Sequence, residues 1–308
     1  MQNRELLSKI KTLRAVAWEG HADDHAVKAW LDNFDNDDEK LHALHLLSRF
    51  VYFSSVQVRQ LLKSLYRDKF KIAIVNEIRK SLGDSTDLDQ IQGIYNQKLN
   101  RTRFMGVGNP AESGCHLLYY FRQENNLSKQ HFLNTHEIFS RDQSAGTQVL
   151  KVPEIERYVF VDDFCGSGQQ GVSYSKDLVE DIRSQNPDAE VYYLVLLGQV
   201  EGLNHIRSEA NFTKVEAVYE LDPSFKCFND DSRHFRNCPS DITSTESKRI
   251  AHDYGLKICP HHPLGYEGSE LLLGFHHNTP DNTLPMIWST GNDVYPWSPI
   301  FKRYPKIY

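Results

Sequence analysis

The chain has 308 residues, room for one large or two modest domains with a buried core. Hydrophobic residues make up 40 % and charged residues 25 %, a soluble globular composition, and the formal net charge of −6 argues against a surface that tracks nucleic acid throughout. No apolar run approaches the ~20 residues needed to span a bilayer, so no membrane segment is expected. The opening Met-Gln-Asn-Arg-Glu-Leu-Leu-Ser-Lys is polar rather than signal-like. Five cysteines (Cys115, Cys165, Cys227, Cys238, Cys259) are odd in number and form no CxxC pair, which suits cytosolic thiols and a cytoplasmic protein.

Residues 1 to about 82 read as helices. Trp30, Leu31 and Phe34 share a face after Asp23 and Asp24. Leu41, Leu44, Leu47, Phe50 and Val51 form a second stripe, and Ser54 or Ser55 caps a third helix carrying Val58, Leu61, Leu62 and Leu65. Arg59, Lys63, Arg67, Lys69, Lys71, Arg79 and Lys80 cluster here. A solvated helix face is the plain reading; a partner or nucleic-acid surface is the sharper one, with few aromatics to support it. Gly83-Asp84-Ser85-Thr86-Asp87 marks the expected boundary, giving a helical region over 1–85 and an α/β domain over 86–308.

Beyond it strands and helices alternate, as in a mostly parallel sheet covered by helices. The spacing predicts a helix over 114–124 and a short strand over 131–139. Buried strands follow at 157–161 and 190–197, then a helix over Gly202–Glu209 and a strand over Val215–Leu221. A helix from Thr243 to Tyr254 is expected to stop at Gly255, and Leu271–Phe275 is a late strand.

The segment Arg-Tyr-Val-Phe-Val-Asp-Asp-Phe-Cys-Gly-Ser-Gly-Gln-Gln-Gly (157–171) is where chemistry concentrates. An apolar strand ends in Asp162 and Asp163, then a small-residue loop Gly166-Ser167-Gly168, then helical spacing from Val172 to Ile182. Glycines let backbone N–H groups turn in on a phosphate, and a helix N-terminus adds partial positive charge. Paired carboxylates accept hydrogen bonds from ribose hydroxyls or hold a hydrated magnesium ion. The plainer alternative is a strand–turn–helix with an acidic N-cap.

A second Gly-rich stretch, 103–114, precedes the helix at 114 and is either another anion site or a connection capped by Ser113. Near the end, His261-His262-Pro263-Leu264-Gly265-Tyr266 and Asn278-Thr279-Pro280-Asp281-Asn282-Thr283-Leu284-Pro285 lead to Trp288. This loop either presents amides and hydroxyls to a ligand or is a self-bonded turn at the sheet edge. The late Cys and His residues match no standard zinc spacing. Cys165 has no local His to make it a nucleophile, and Gly166-Ser167-Gly168 lacks the Lys of a Walker A loop.

The 157–171 segment resembles the phosphoribosyl-pyrophosphate (PRPP) loop of type I phosphoribosyltransferases. Here Gly166-Ser167-Gly168-Gln169-Gln170 stands where that family has Thr-Thr-Gly-x-Thr. The Val-Asp-Asp-Phe-Cys-Gly-Ser-Gly phrase, the Pro-Leu-Gly-Tyr element and the Asn/Thr/Pro loop are similar to a phosphoribosyltransferase-like family of bacterial anti-phage conflict systems. In that family's closing signature, Asp281 replaces an Asn.

The resemblance implies a type I phosphoribosyltransferase α/β fold with an N-terminal helical region. Asp162 and Asp163 would hold the ribose diol, Gly166, Ser167, Gly168, Gln169 and Gln170 would cradle the 5′-phosphate, and Mg2+ would come with PRPP. Arg103, Ser113 and Gly114, with Arg101 beside them, are the pyrophosphate-loop candidates, and Tyr266, Asn278, Asn282 and Trp288 the acceptor-side candidates. Two functions follow: phosphoribosyl transfer to an unknown acceptor, or an inactive nucleotide-sensing module that regulates a partner effector from the same defence locus.

Overall fold

A computed structural model of the protein describes residues 2–108, 113–141 and 147–304. The helices are α1 (Gln2–Val16), α2 (Asp24–Leu31), α3 (Asp37–Leu47), α4 (Ser55–Ser64), α5 (Ile72–Ser81), α6 (Leu88–Asn100), α7 (Ser113–Glu124), α8 (Gln169–Tyr174), α9 (Glu180–Gln185), α10 (Val200–Glu209), α11 (Ser244–Ile258) and α12 (Pro285–Trp288). The strands are β1 (Val51–Phe53), β2 (Thr102–Gly106), β3 (Phe139–Arg141), β4 (Gln148–Leu150), β5 (Arg157–Cys165), β6 (Glu190–Gln199), β7 (Lys214–Leu221) and β8 (Leu273–Phe275). The fold is mixed α/β with a parallel sheet and N-terminal helices, as expected.

The chain divides into two compact units: Met1–Val58 with Leu221–Tyr308, and Arg59–Glu220. The stretch expected to be a boundary, 83–87, lies inside the second unit. There Gly83 (φ 66°) and Asp84 (φ 59°) turn the chain out of α5, and the Asp87 side chain accepts from Gln90 N at 3.0 Å to start α6.

The second unit is built on a four-stranded sheet of order β2-β5-β6-β7, with β5 parallel to both β2 and β6. Nearly every residue of β5 and β6 is buried, which is why both read as continuous apolar runs rather than alternating ones. The expected end of β5 at Val161 is corrected: the ladder continues through Asp162↔Val195 to Cys165↔Gly198, because β6 supplies partners that far. Residues 131–139 are corrected as well. Single 3₁₀ turns at Lys129–His131 and Thr135–Glu137 stand where a strand was predicted, the second tightened by Asn134 N donating to Glu137 Oε2 at 2.8 Å. Arg59 and Lys63 pair with Glu124, Arg67 with Asp68 and Lys69 with Glu216, in keeping with a solvated helix face.

In the first unit, Trp18, Trp30, Phe34 and Phe50 are buried together with Phe301, and Phe50 stacks on Phe301 at 4.3 Å. Trp30 Nε1 donates to Met286 O at 2.7 Å, so the indole is dry yet satisfied. Val51 lies in a strand rather than on the predicted helical stripe, since β1 pairs in parallel with β8 (Tyr52↔Gly274). Likewise α11 runs past Gly255 to Ile258. That glycine serves close packing and not helix termination: a Cβ there would lie 2.0 Å from Pro263 O.

Candidate functional site

The two acids stand at the end of β5, both buried. Asp162 is 8 % exposed. Its Oδ2 accepts from the Tyr193 hydroxyl at 2.8 Å, and its Oδ1 accepts from Asp163 N at 2.9 Å. Burial, and then the neighbouring Asp163 carboxyl, push Asp162 well above the usual carboxylate range. Tyr193, itself buried beside Asp162, is pushed upward and stays a neutral donor. Burial pushes the Cys165 thiol up to about 12, which leaves it no nucleophile at neutral pH.

The loop after the strand is shaped from behind by α10. Gly168 adopts φ 81°, and a Cβ there would meet Gly202 O at 2.4 Å. A Cβ on Gly202 would lie 1.8 Å from Gly166 O, and one on Gly171 would lie 2.6 Å from Ile206 Cδ1. His205 Nδ1 is 3.0 Å from Ser167 O; because a carbonyl only accepts, the ring proton sits on Nδ1. Gly168 O accepts from Val172 N at 3.0 Å and starts a helical run that continues through a π turn (Ser175–Val179) into α9. Among the described residues, the N–H groups of Gly166 and Ser167 have no hydrogen-bond acceptor. Both residues are half-buried.

The remaining candidates are placed as follows. Arg103 pairs with Tyr158 in the β2–β5 register, four steps or about 13 Å along the strand from Asp162. Its guanidinium donates to Asn100 O and Thr102 O, so it is not gathered at the acids. Arg101 pairs with Glu156. Residues 109–112 and the Ser113 side chain lie outside the described residues, though α7, which includes Gly114, begins at Ser113.

Tyr266, Asn278, Asn282 and Trp288 belong to the first unit, where the Asn/Thr/Pro loop is bonded to its own surroundings. Asn278 Oδ1 accepts from Thr279 N and Tyr304 N, Asn282 Nδ2 donates to Ser269 Oγ, and Trp288 Nε1 donates to Thr283 O. Tyr266 N donates to Asp281 O. Within the second unit, a cavity of about 850 Å³ opens beside α8, lined by Phe139, Arg141, Gln148, Ser173, Tyr174 and Asp177 among others.

Tyr193, Gly202 and His205 escaped the sequence reading. Only Gly202, a glycine inside a helical pattern, carried a local signal.

A family model, PRTase-CE, matches residues 27–303. The chain belongs to the PRTase-CE family. It is thus a phosphoribosyltransferase-like protein, and the acid-tipped strand and Gly-Ser-Gly loop of this PRTase-CE chain lie within the matched region. No curated protein matches it by sequence. Among solved structures it is similar to the xanthine-guanine-hypoxanthine phosphoribosyltransferase of Helicobacter pylori (12 % identity, 56 % of this chain and 89 % of that one, TM-score 0.28). It is also similar to the hypoxanthine phosphoribosyltransferase of Trypanosoma cruzi (13 %, 60 % and 90 %, TM-score 0.29). The orotate phosphoribosyltransferase of Aeropyrum pernix is a further neighbour (20 %, 41 % and 63 %, TM-score 0.24).

The donor set of the PRTase-CE acids does not suit a protein-held magnesium ion. Asp162 spends both oxygens inside the protein, and among the described residues no three His, Cys, Asp or Glu side chains gather as a metal site.

Proposed function

We propose that the second unit binds a phosphosugar, either PRPP or a nucleotide, at loop 166–170. The observation that carries this reading is the outward, unengaged Ser167 N–H at the head of a helical run, directly after an acid-tipped buried strand. Gly166, Ser167, Gly168, Gln169 and Gln170 form the phosphate cradle. Asp162 and Asp163 are the acids that would receive the ribose hydroxyls, with Asp162 braced by Tyr193. Any magnesium would travel on the ligand's own diphosphate, and no step here depends on it.

If the site turns over, the C1–O bond to pyrophosphate breaks and an acceptor bonds to C1. Positive charge develops on the ribose meanwhile, and the acid pair would stabilise it without a strong base. A cavity beside α8, in the same unit, is one space that could admit an acceptor.

A sensing module without turnover is the second reading. It is favoured by one observation: Asp162, one of two acids expected to hold the diol, is already satisfied within the protein. A setting in an anti-phage locus with a protein partner rests on the resemblance carried by the Val-Asp-Asp-Phe-Cys-Gly-Ser-Gly phrase, the Pro-Leu-Gly-Tyr element and the Asn278–Trp288 loop.

The test is calorimetric titration of the whole chain with PRPP, with and without magnesium, beside Asp163→Asn, followed by a pyrophosphate-release assay. Binding weakened at least tenfold by Asp163→Asn, with release, supports a transferase. Binding without release supports a sensor. Wild-type protein that is folded and binds neither PRPP nor nucleotides sinks both.

A further inference from the structure

In a trans peptide the C=O of one residue and the N–H of the next point in opposite directions, so fixing one aims the other. At loop 166–168 two successive carbonyls are turned back onto α10. Gly166 O sits where a Cβ of Gly202 would be, which directs the Ser167 N–H away from α10. Ser167 O is held by His205 Nδ1 at 3.0 Å, which directs the Gly168 N–H the other way, onto the Cys165 thiol. Glycine at 202 makes room for this arrangement but applies no force. The hydrogen bond that holds the carbonyl side of the central peptide is the one from His205.

We propose that His205 is a positioning residue for the anion cradle. By holding the Ser167 carbonyl back, it prevents the 167–168 peptide from flipping. A flipped peptide would put the Ser167 carbonyl where the Gly168 N–H now stands, against the buried Cys165 thiol, and would break the turn that holds the neighbouring Ser167 N–H at the head of the helical run. His205 touches no ligand in this scheme; it acts through the backbone of Ser167. The proposal rests on the phosphosugar reading for its ligand, but the loop geometry it invokes can be measured without one.

The experiment compares wild type, His205→Ala and His205→Asn, since the Asn amide nitrogen occupies nearly the position of Nδ1. Two readouts are taken on the full chain: amide hydrogen exchange over residues 164–172, and titration with ribose 5-phosphate and PRPP. His205→Ala is expected to speed exchange in the loop and weaken phosphosugar binding about five- to tenfold, the equivalent of one lost hydrogen bond. His205→Asn is expected to stay within about twofold of wild type in both.

Unchanged exchange and binding in His205→Ala overturns the proposal. So does failure of Asn to restore them, which would indicate a packing role for the imidazole. If His205→Ala does not fold, His205→Asn against His205→Leu gives the same comparison. Exchange that follows the expected pattern while wild type binds no phosphosugar supports the positioning role and removes the functional reading instead.

Discussion

Tyr193 donates its hydroxyl to Asp162 Oδ2 across 2.8 Å, joining the middle of β6 to the acid end of β5 in a fully buried setting. This bond satisfies an oxygen of a buried carboxyl group. Replacing Tyr193 with Phe leaves that oxygen orphaned, at an expected cost of about 1–3 kcal/mol in unfolding free energy. Urea unfolding of the two proteins measures it. An unchanged midpoint would show that the acid has found another donor.

Asp162 also makes stability depend on pH. Its folded pKa is raised, by burial first and by Asp163 second, so the folded protein holds this proton more tightly than the unfolded chain does. Its stabilising contribution is complete below the unfolded value, about pH 4, and is lost as pH rises through the raised folded value. Asp162→Asn removes the titration while keeping an acceptor and a donor in place. The variant should therefore gain on wild type as pH goes from 5 to 8. Parallel stability curves would contradict this.

Gly202→Ala is expected to displace loop 166–168, because the new methyl would stand 1.8 Å from a backbone oxygen. The cost should be about 1–3 kcal/mol, typical of overpacking, together with loss of phosphosugar binding. Gly93→Ala is the control. Gly93 is exposed in the interior of α6 with nothing within 4 Å of a Cβ, and the change should stabilise by about 0.5–1 kcal/mol. Thermal melts and calorimetry of both variants separate the steric effect from the glycine change itself.

In the first unit, burial holds His45 and His234 down to about 4, and His45 Nε2 lies 3.1 Å from His234 O. The unfolded rings titrate near 6.5, so these neutral histidines contribute fully above about pH 6.5, and the contribution is lost as pH falls toward 4. The melting midpoint should fall between pH 7 and pH 5. His45→Gln should flatten that slope, and equal slopes would assign the acid sensitivity to other groups.

The buried strands β5 and β6 were legible because a strand covered on both faces must be apolar throughout. Asp23 and Thr243 were legible as helix starts for a similar reason, since a cap bonds only to residues two or three positions away. Gly255 was misread as a helix stop. A C-terminal glycine and a glycine that admits a passing carbonyl look the same along the chain, and only the nearness of Pro263 tells them apart. The three-residue pairing of β1 with β8 joins segments more than 200 positions apart, and its apolar residues continue a helical stripe in the sequence.

The amino-acid sequence by itself determined the class of this protein: a helical N-terminal region, a parallel sheet, and an acid-tipped strand running into a Gly-Ser-Gly loop. Those features depend on local apolar patterning and on backbone freedom at glycine. The tertiary structure alone decided that Tyr193 braces Asp162 and that the loop's carbonyls face α10. Tyr193 meets Asp162 across 31 positions and His205 meets Ser167 across 38, and neither contact leaves a periodic mark in the chain. Hydrogen bonds between distant segments exist only once packing has excluded water and brought the partners within 3 Å, and at this site those bonds set the charge and the direction of the donors.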